Sequence, residues 1–208
     1  MILYPVCLKL DKMLCCVIGG GAVALRKVQT LLKSSDNITI ISPKLCFQLK
    51  QLHKKNAFNY QKTEYKKNFI KDAFLIIAAT NDQAVNAQIV KDANKMGKLI
   101  NVVDVPEQCN FYLPSVVNKK GILLSISTQG AFPGLAKKIR QDTAVMIKKY
   151  ADNIGVLSRL RDEIKLKHKD KRTKKRLIDA LLDDKILELI NNKKIRKLVE
   201  LKAHLKIS

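Results

Sequence analysis

Four short stretches of this chain are apolar on nearly every residue: Leu14–Ile18, Ile38–Ile41, Leu75–Ala79 and Leu99–Val103. A strand with one wet face alternates apolar and polar residues, so runs apolar on both faces predict strands covered on both sides. Between the first two lies a stretch of helical period with Val23, Val28, Leu31 and Leu32 toward the sheet. Between the last two, Val85, Ile89 and Ala93 repeat at helical spacing and the pattern stops at Gly97, a usual helix end. Strands alternating with helices predict an α/β fold with a parallel sheet and right-handed crossovers.

Near Asn110 the pattern changes. "FYLPSVVNKKGILLSISTQG" reads as two strands flanking a turn at Lys119–Lys120–Gly121, and Pro133 suits the first turn of a helix beginning in "AFPGLAKKIRQDTAVMIKKY". The rest is helical and basic. Ile178, Leu181, Leu182, Ile186 and Leu189 are expected to form one apolar stripe, and Ile195, Leu198, Val199, Leu201 and Leu205 another, with Asn191–Asn192 as the break. Such stripes need covering, by each other or by a second subunit. The expected organisation is a sheet domain over 1–113, a small strand-helix region over 114–150 and a helical tail over 151–208.

With 47% hydrophobic and 28% charged residues the 208-residue chain is globular in composition. No apolar run approaches the roughly 20 residues that span a bilayer. The opening "MILYPVCLKL" lacks the basic region and cleavage site of a signal peptide, so a cytoplasmic, membrane-free protein is expected. Five cysteines, odd in number and without a C-x-x-C pair, argue against a zinc site or disulfide framework. His53, His168 and His204 are scattered, so no metal site is expected. The net charge is +22, and from Ala131 onward 22 basic and 10 acidic residues carry +12 of it. That excess attracts polyanions, including small molecules with several carboxylates. Nucleic acid is disfavoured, because neither a zinc finger nor a recognition-helix signature nor a basic strand interleaved with aromatics is present.

Gly19-Gly20-Gly21-Ala22-Val23-Ala24 fits G-x-G-x-x-A between a predicted strand and a predicted helix, the context in which that motif binds a dinucleotide. Gly19 allows the tight turn, Gly21 lets a pyrophosphate approach the backbone, and Ala24 permits close helix–sheet packing. The anion would meet free N–H groups and the positive end of the helix dipole. Where an NAD site usually has an acidic residue after its second strand, this chain has Ser42, Pro43 and Lys44. Ser42 can bond a ribose hydroxyl but does not repel a 2′-phosphate, so these residues leave NAD and NADP open. Thr80, after the "LIIAA" strand, either caps the next helix or touches the nucleotide.

In order along the chain stand "YPVCLKL", "VIGGGAVALRKVQTLL", "ISP", "FLIIAATND", "NVVDVPEQCNFYLPSVV" and "ISTQGAFPGLAKKIR". Together they resemble the precorrin-2 dehydrogenase family, the dehydrogenase–ferrochelatase module of siroheme synthase. The match is close over residues 1 to about 145. The methyltransferase domain of full-length siroheme synthase has no counterpart in these residues. The resemblance implies a Rossmann-like domain, a dimerisation region and a homodimer. It also implies oxidation of precorrin-2 to sirohydrochlorin with NAD+, followed in some members by insertion of Fe2+ as a substrate. Its NAD contacts fall on Ala22, Val23, Pro43 and Lys44, its catalytic carboxylate on Asp104 and its substrate-side hydroxyl on Thr128. Where the family has Gly-Gly and then Ser/Thr-Pro, this chain has Gln129-Gly130 and Phe132-Pro133.

The residues support the same assignment independently. Asp104 lies just past a predicted parallel strand, at the edge where open α/β sheets bind ligands. Removing two hydrogens needs a hydride acceptor and a proton acceptor, and NAD+ and Asp104 suit those roles. The plainer role for Asp104 is to cap the turn before Val105-Pro106. Tetrapyrroles with eight carboxylate side chains also suit the basic charge. Two other classes compete: an NAD(H)-sensing regulatory module without catalysis, and a polyanion binder using its lysines.

Overall fold

The computed structural model describes residues 3–205, and the chain divides into two compact units, Met1–Leu113 and Pro114–Ser208. In the first, β1 (Cys15–Ile18), α1 (Ala22–Leu31), β2 (Ile38–Ile41), α2 (Phe47–Lys54), β3 (Asn59–Gln61), β4 (Leu75–Ala78), α3 (Gln83–Lys95) and β5 (Leu99–Val102) follow one another. The five strands are parallel and ordered β3-β2-β1-β4-β5. The chain winds outward from β1 to β3 and then returns to β4 on the other side of β1. The sheet therefore has a switch point between β1 and β4 at its carboxyl edge, where such sheets open a crevice for ligands.

The doubly apolar runs are buried on both faces. Cys15, Val17, Ile38, Ile40, Leu75 and Ile77 pack against Ala24, Val28 and Leu31 of α1 and Leu49 of α2. Cys16, Ile18, Ile41, Ile76, Ala78, Ile100 and Val102 pack against Ile89 and Ala93 of α3. Each fully buried aliphatic side chain contributes about 1.5–3 kcal/mol, which makes this two-sided burial the main source of the unit's stability. Ala24 is fully buried, so α1 lies close on the sheet. The free edge of β5 is covered by its own chain: Asn110 N–H donates to Ile100 O (3.1 Å) and Ile100 N–H to Asn110 Oδ1 (2.8 Å). That capping blocks the edge from pairing with another strand.

The second unit begins with an antiparallel hairpin, β6 (Ser115–Lys119) and β7 (Ile122–Ile126). Its two turn residues, Lys120 and Gly121, have φ of 45° and 89°, the left-handed pair that a tight hairpin uses. Helix α4 (Pro133–Ala151) covers one face of the hairpin, with Ala144, Ile147 and Ala151 against Val117, Ile122 and Leu124. Then come α5 (Ile154–Lys167), α6 (Lys171–Ala180), α7 (Asp184–Asn191) and α8 (Leu198–Leu205).

The tail helices cover one another. Leu160, Ile164, Leu177, Leu181, Ile186, Ile190, Ile195, Leu198 and Leu201 form a single core. The expected stripes are corrected in two places. The first is split between α6 and α7, because Asp183 caps α7 by accepting from the Lys185 and Ile186 N–H groups, and Leu182 is 68% exposed. Val199 is likewise turned outward, 72% exposed, where the second stripe placed it inside. Among the described residues no helix is long and apolar enough to cross a membrane.

Candidate functional site

Because the strands are parallel, the loops after β1, β2, β4 and β5 all emerge at one edge of the sheet. Gly19–Val23, Ser42–Lys44, Thr80 and Asp104 are thereby brought to that edge from four separate parts of the sequence. Thr128 belongs to the second unit.

The three glycines differ in what surrounds them. Gly19 has φ of 119°, and a Cβ there would stand 2.2 Å from Ala79 O, so the first loop lies directly on the loop after β4. A Cβ on Gly20 would stand 2.0 Å from Lys44 O and 2.8 Å from Ser42 Oγ, so the first loop also lies on the one after β2. Cys46 N–H donates to Gly20 O at 2.7 Å and fastens that contact. A Cβ on Gly21 would meet nothing within 4 Å. Gly21 is the N-cap of α1, with no side-chain cap and no acidic residue in the first turn. Open space beside Gly21, with no side-chain cap at the positive end of the helix dipole, is what an anion cradle requires. These residues fit a dinucleotide pyrophosphate.

Ser42 is buried and its hydroxyl donates to Lys44 O (2.8 Å), while Tyr60 Oη–H donates to Ser42 O (2.9 Å). Its hydroxyl proton is thus engaged in shaping the loop, and only acceptor capacity is left for a ribose. Pro43 and Lys44 are exposed at the tip. Thr80 Oγ–H lies 2.7 Å from Asn86 Oδ1 and 3.0 Å from Asp82 O, and Asp82 caps α3 through the Ala84 and Val85 N–H groups. Its side chain therefore supports the start of α3, and its backbone faces Gly19.

Asp104 follows β5 by two residues, is exposed, and has φ of 61°, a left-handed conformation that Asp and Asn tolerate better than most residues. No hydrogen bond or ion pair to another described residue holds its carboxylate. Lys27 of α1 is half-buried, and its pKa is lowered, first by burial and then by Arg26; Asp104 and Cys109 oppose that shift. Lys27 is thus a cation in the field of Asp104. In the second unit Thr128 Oγ1 accepts from Phe132 N–H (3.2 Å) just ahead of α4, and Gln129 and Gly130 take positive φ.

Sequence reasoning missed Lys27 and Cys109. Lys27 sits beside the buried positions 24, 28 and 31 of α1, where an apolar residue is the norm, and that placement was a usable signal. Cys109 offered none, because its sulfur bonds to Val102 at the edge of β5, a contact that exists only in the folded sheet.

The family model described as NAD(P)-binding matches residues 6–115. The siroheme synthase of Nitrosococcus oceani is 33% identical over 187 residues, which cover 89% of this chain and 40% of that one. That of Pseudoalteromonas translucida is 32% identical over 187 residues, with the same shares. The chain thus spans about two fifths of the length of these curated relatives. A solved structure of SirC, precorrin-2 dehydrogenase, superposes with a TM-score of 0.78 at 27% identity, covering 98% of each chain.

Proposed function

This chain belongs to the family of NAD(P)-binding proteins, and from that premise we propose that it oxidises precorrin-2 to sirohydrochlorin with NAD+ in siroheme biosynthesis. The observation that carries the reading is likeness along the whole chain to a precorrin-2 dehydrogenase, joined to an anion cradle and a carboxylate on one sheet edge. The substrate loses two hydrogens, one as hydride and one as a proton. Bound NAD+ supplies the hydride acceptor.

The remaining work falls to the chain. The first-turn N–H groups of α1, reached over Gly19 and Gly21, would hold the pyrophosphate, with Ala22 and Val23 beside it. Pro43, Lys44 and the acceptor oxygen of Ser42 would contact the ribose, and the Thr80 backbone is a further candidate contact. Asp104 takes the proton, and since no hydrogen bond among the described residues engages its carboxylate, its lone pairs are available for that transfer. Thr128 meets the tetrapyrrole, whose carboxylates are drawn by the basic surface. Insertion of Fe2+ as a second substrate would use a base of the same kind, since the metal displaces pyrrole N–H protons.

Incubation with precorrin-2 and NAD+ should yield NADH absorbance and the sirohydrochlorin spectrum in equal molar amounts, and Fe2+ added afterwards should give the siroheme spectrum. No NADH formation from precorrin-2 would overturn the reading. Five free thiols with no disulfide among them fit a reducing, cytoplasmic setting.

The same reading includes a homodimer. On α4, Leu135, Ile139 and Met146 point outward at helical spacing, and Val116 and Leu123 are exposed on the face of the hairpin that α4 leaves open. These two exposed apolar faces, on the outer side of α4 and on the open side of the hairpin, are the surfaces a second copy would cover. Light scattering at micromolar concentration should give twice the chain mass, and Met146→Glu, at a side chain 58% exposed, should give a folded monomer. A wild-type monomer would remove the dimer from the reading.

A further inference from the structure

The turn that carries Asp104 leaves β5 at Val102 and returns to it at Cys109, and its neck is closed by side chains rather than by a paired strand. Cys109 Sγ accepts from Val102 N–H at 3.1 Å and lies 3.3 Å from Val102 O and 3.4 Å from Val105 O, within reach of its S–H. The buried Asn101 amide spans the same neck, donating to Phe111 O (3.1 Å) and approaching the sulfur (3.5 Å). One residue beyond, Asn110 donates to Lys98 O (2.8 Å) and accepts from Ile100 N–H (2.8 Å). Among the described residues no hydrogen bond holds the Asp104 side chain, yet the residue stands in a left-handed conformation at the tip.

We propose that Cys109 is a positioning residue for the oxidation described above: its sulfur clasps both ends of the turn and so fixes where the Asp104 carboxylate stands. The inference rests on that reading for its catalytic consequence and on the geometry of the neck for the clasp itself. A clasp of this kind needs a neutral thiol, which donates and accepts at once. Burial, the largest influence, raises the pKa of Cys109 and outweighs the hydrogen bond from Val102 and the nearby Lys27, so the thiol keeps its proton at neutral pH. The thiol is also better placed than a methyl group to do this. Val102 N–H points to the free edge of the sheet, where no sixth strand accepts from it. Without the sulfur, that N–H loses its partner and the Val105 carbonyl keeps only the Gln108 N–H (3.1 Å), so the six residues between Val102 and Cys109 are held less firmly to β5.

The test compares Cys109→Ala with Cys109→Ser, which restores a donor and an acceptor at nearly the same point. Cys109→Ala should lower kcat by about 10- to 100-fold, the cost of misplacing a catalytic group by about an ångström. KM and NAD+ affinity should stay within twofold, and Cys109→Ser should recover most of the lost turnover. In parallel, hydrogen exchange of the amides from Asp104 to Gln108 should quicken at least tenfold in the alanine variant, with exchange in β1 and α1 unchanged.

Full turnover in Cys109→Ala, or an equal loss in both variants, overturns the inference and leaves the dehydrogenase reading standing. If the wild-type protein does not oxidise precorrin-2, that reading falls, and hydrogen exchange still decides the clasp. Faster exchange confined to the turn sustains it, and unchanged exchange refutes it.

Discussion

Replacing Asp104 with Asn should lower the rate of precorrin-2 oxidation by roughly 10²–10⁴, the usual worth of a positioned general base, while NAD+ affinity stays within a few-fold. Asparagine is the right probe because the backbone at this residue has φ of 61°. It keeps the shape and accepts that conformation as readily as aspartate, whereas alanine would add backbone strain to the loss of the base. The change should also leave melting nearly untouched, since the carboxylate holds no part of the turn together. A residue that merely capped the turn would show the opposite pattern, a loss of about 0.5–2 kcal/mol in stability with turnover kept. Turnover and melting temperature measured on one sample separate the two. A variant as active as the wild type would remove Asp104 from the chemistry.

Gly21→Asp should abolish NAD+ binding, with the dissociation constant raised at least about 100-fold by a carboxylate placed where the pyrophosphate must lie. The fold should survive. A Cβ at this position meets nothing within 4 Å, and the backbone has φ of −87°, which any residue adopts. Aspartate is moreover a preferred N-cap and sits well at the positive end of a helix, worth about 0.3–1 kcal/mol, so α1 should be slightly firmer. Loss of ligand together with an equal or higher melting temperature is therefore the expected signature. Titration of NAD+ against both proteins by calorimetry reads it directly, and unchanged affinity would refute the cradle.

How far the sequence could be read follows from which forces act locally. Strands β1, β2, β4 and β5 were legible because burial on both faces leaves a continuous apolar run. The edge strand β3 was not: Asn59 and Gln61 are exposed and only Tyr60 turns inward, so three residues carry no run to detect. The glycine loop was legible since strand, motif and helix are contiguous. The role of Ser42 was only half legible, because a hydroxyl after a strand signals a hydrogen bond without saying to what. Its bond to Lys44 O depends on how the loop folds back. The split between α6 and α7 was written in Asp183, a capping residue inside an apolar stripe whose period hid it. The clasp at Cys109 lies beyond sequence reading altogether, since it joins residues through a strand edge that exists only once the sheet has formed.

The contacts of Gly19 with Ala79 and of Gly20 with Lys44 bear on how fast a ligand can come and go. Neither contact leaves room for a single carbon, so the loops after β1, β2 and β4 pack directly on one another. A nucleotide site built on such packing would need little rearrangement to bind. The closer the resting conformation of such a site is to the binding one, the less its apparent affinity falls below the intrinsic one. Its preference for one nucleotide over another would then be expressed mainly in residence time.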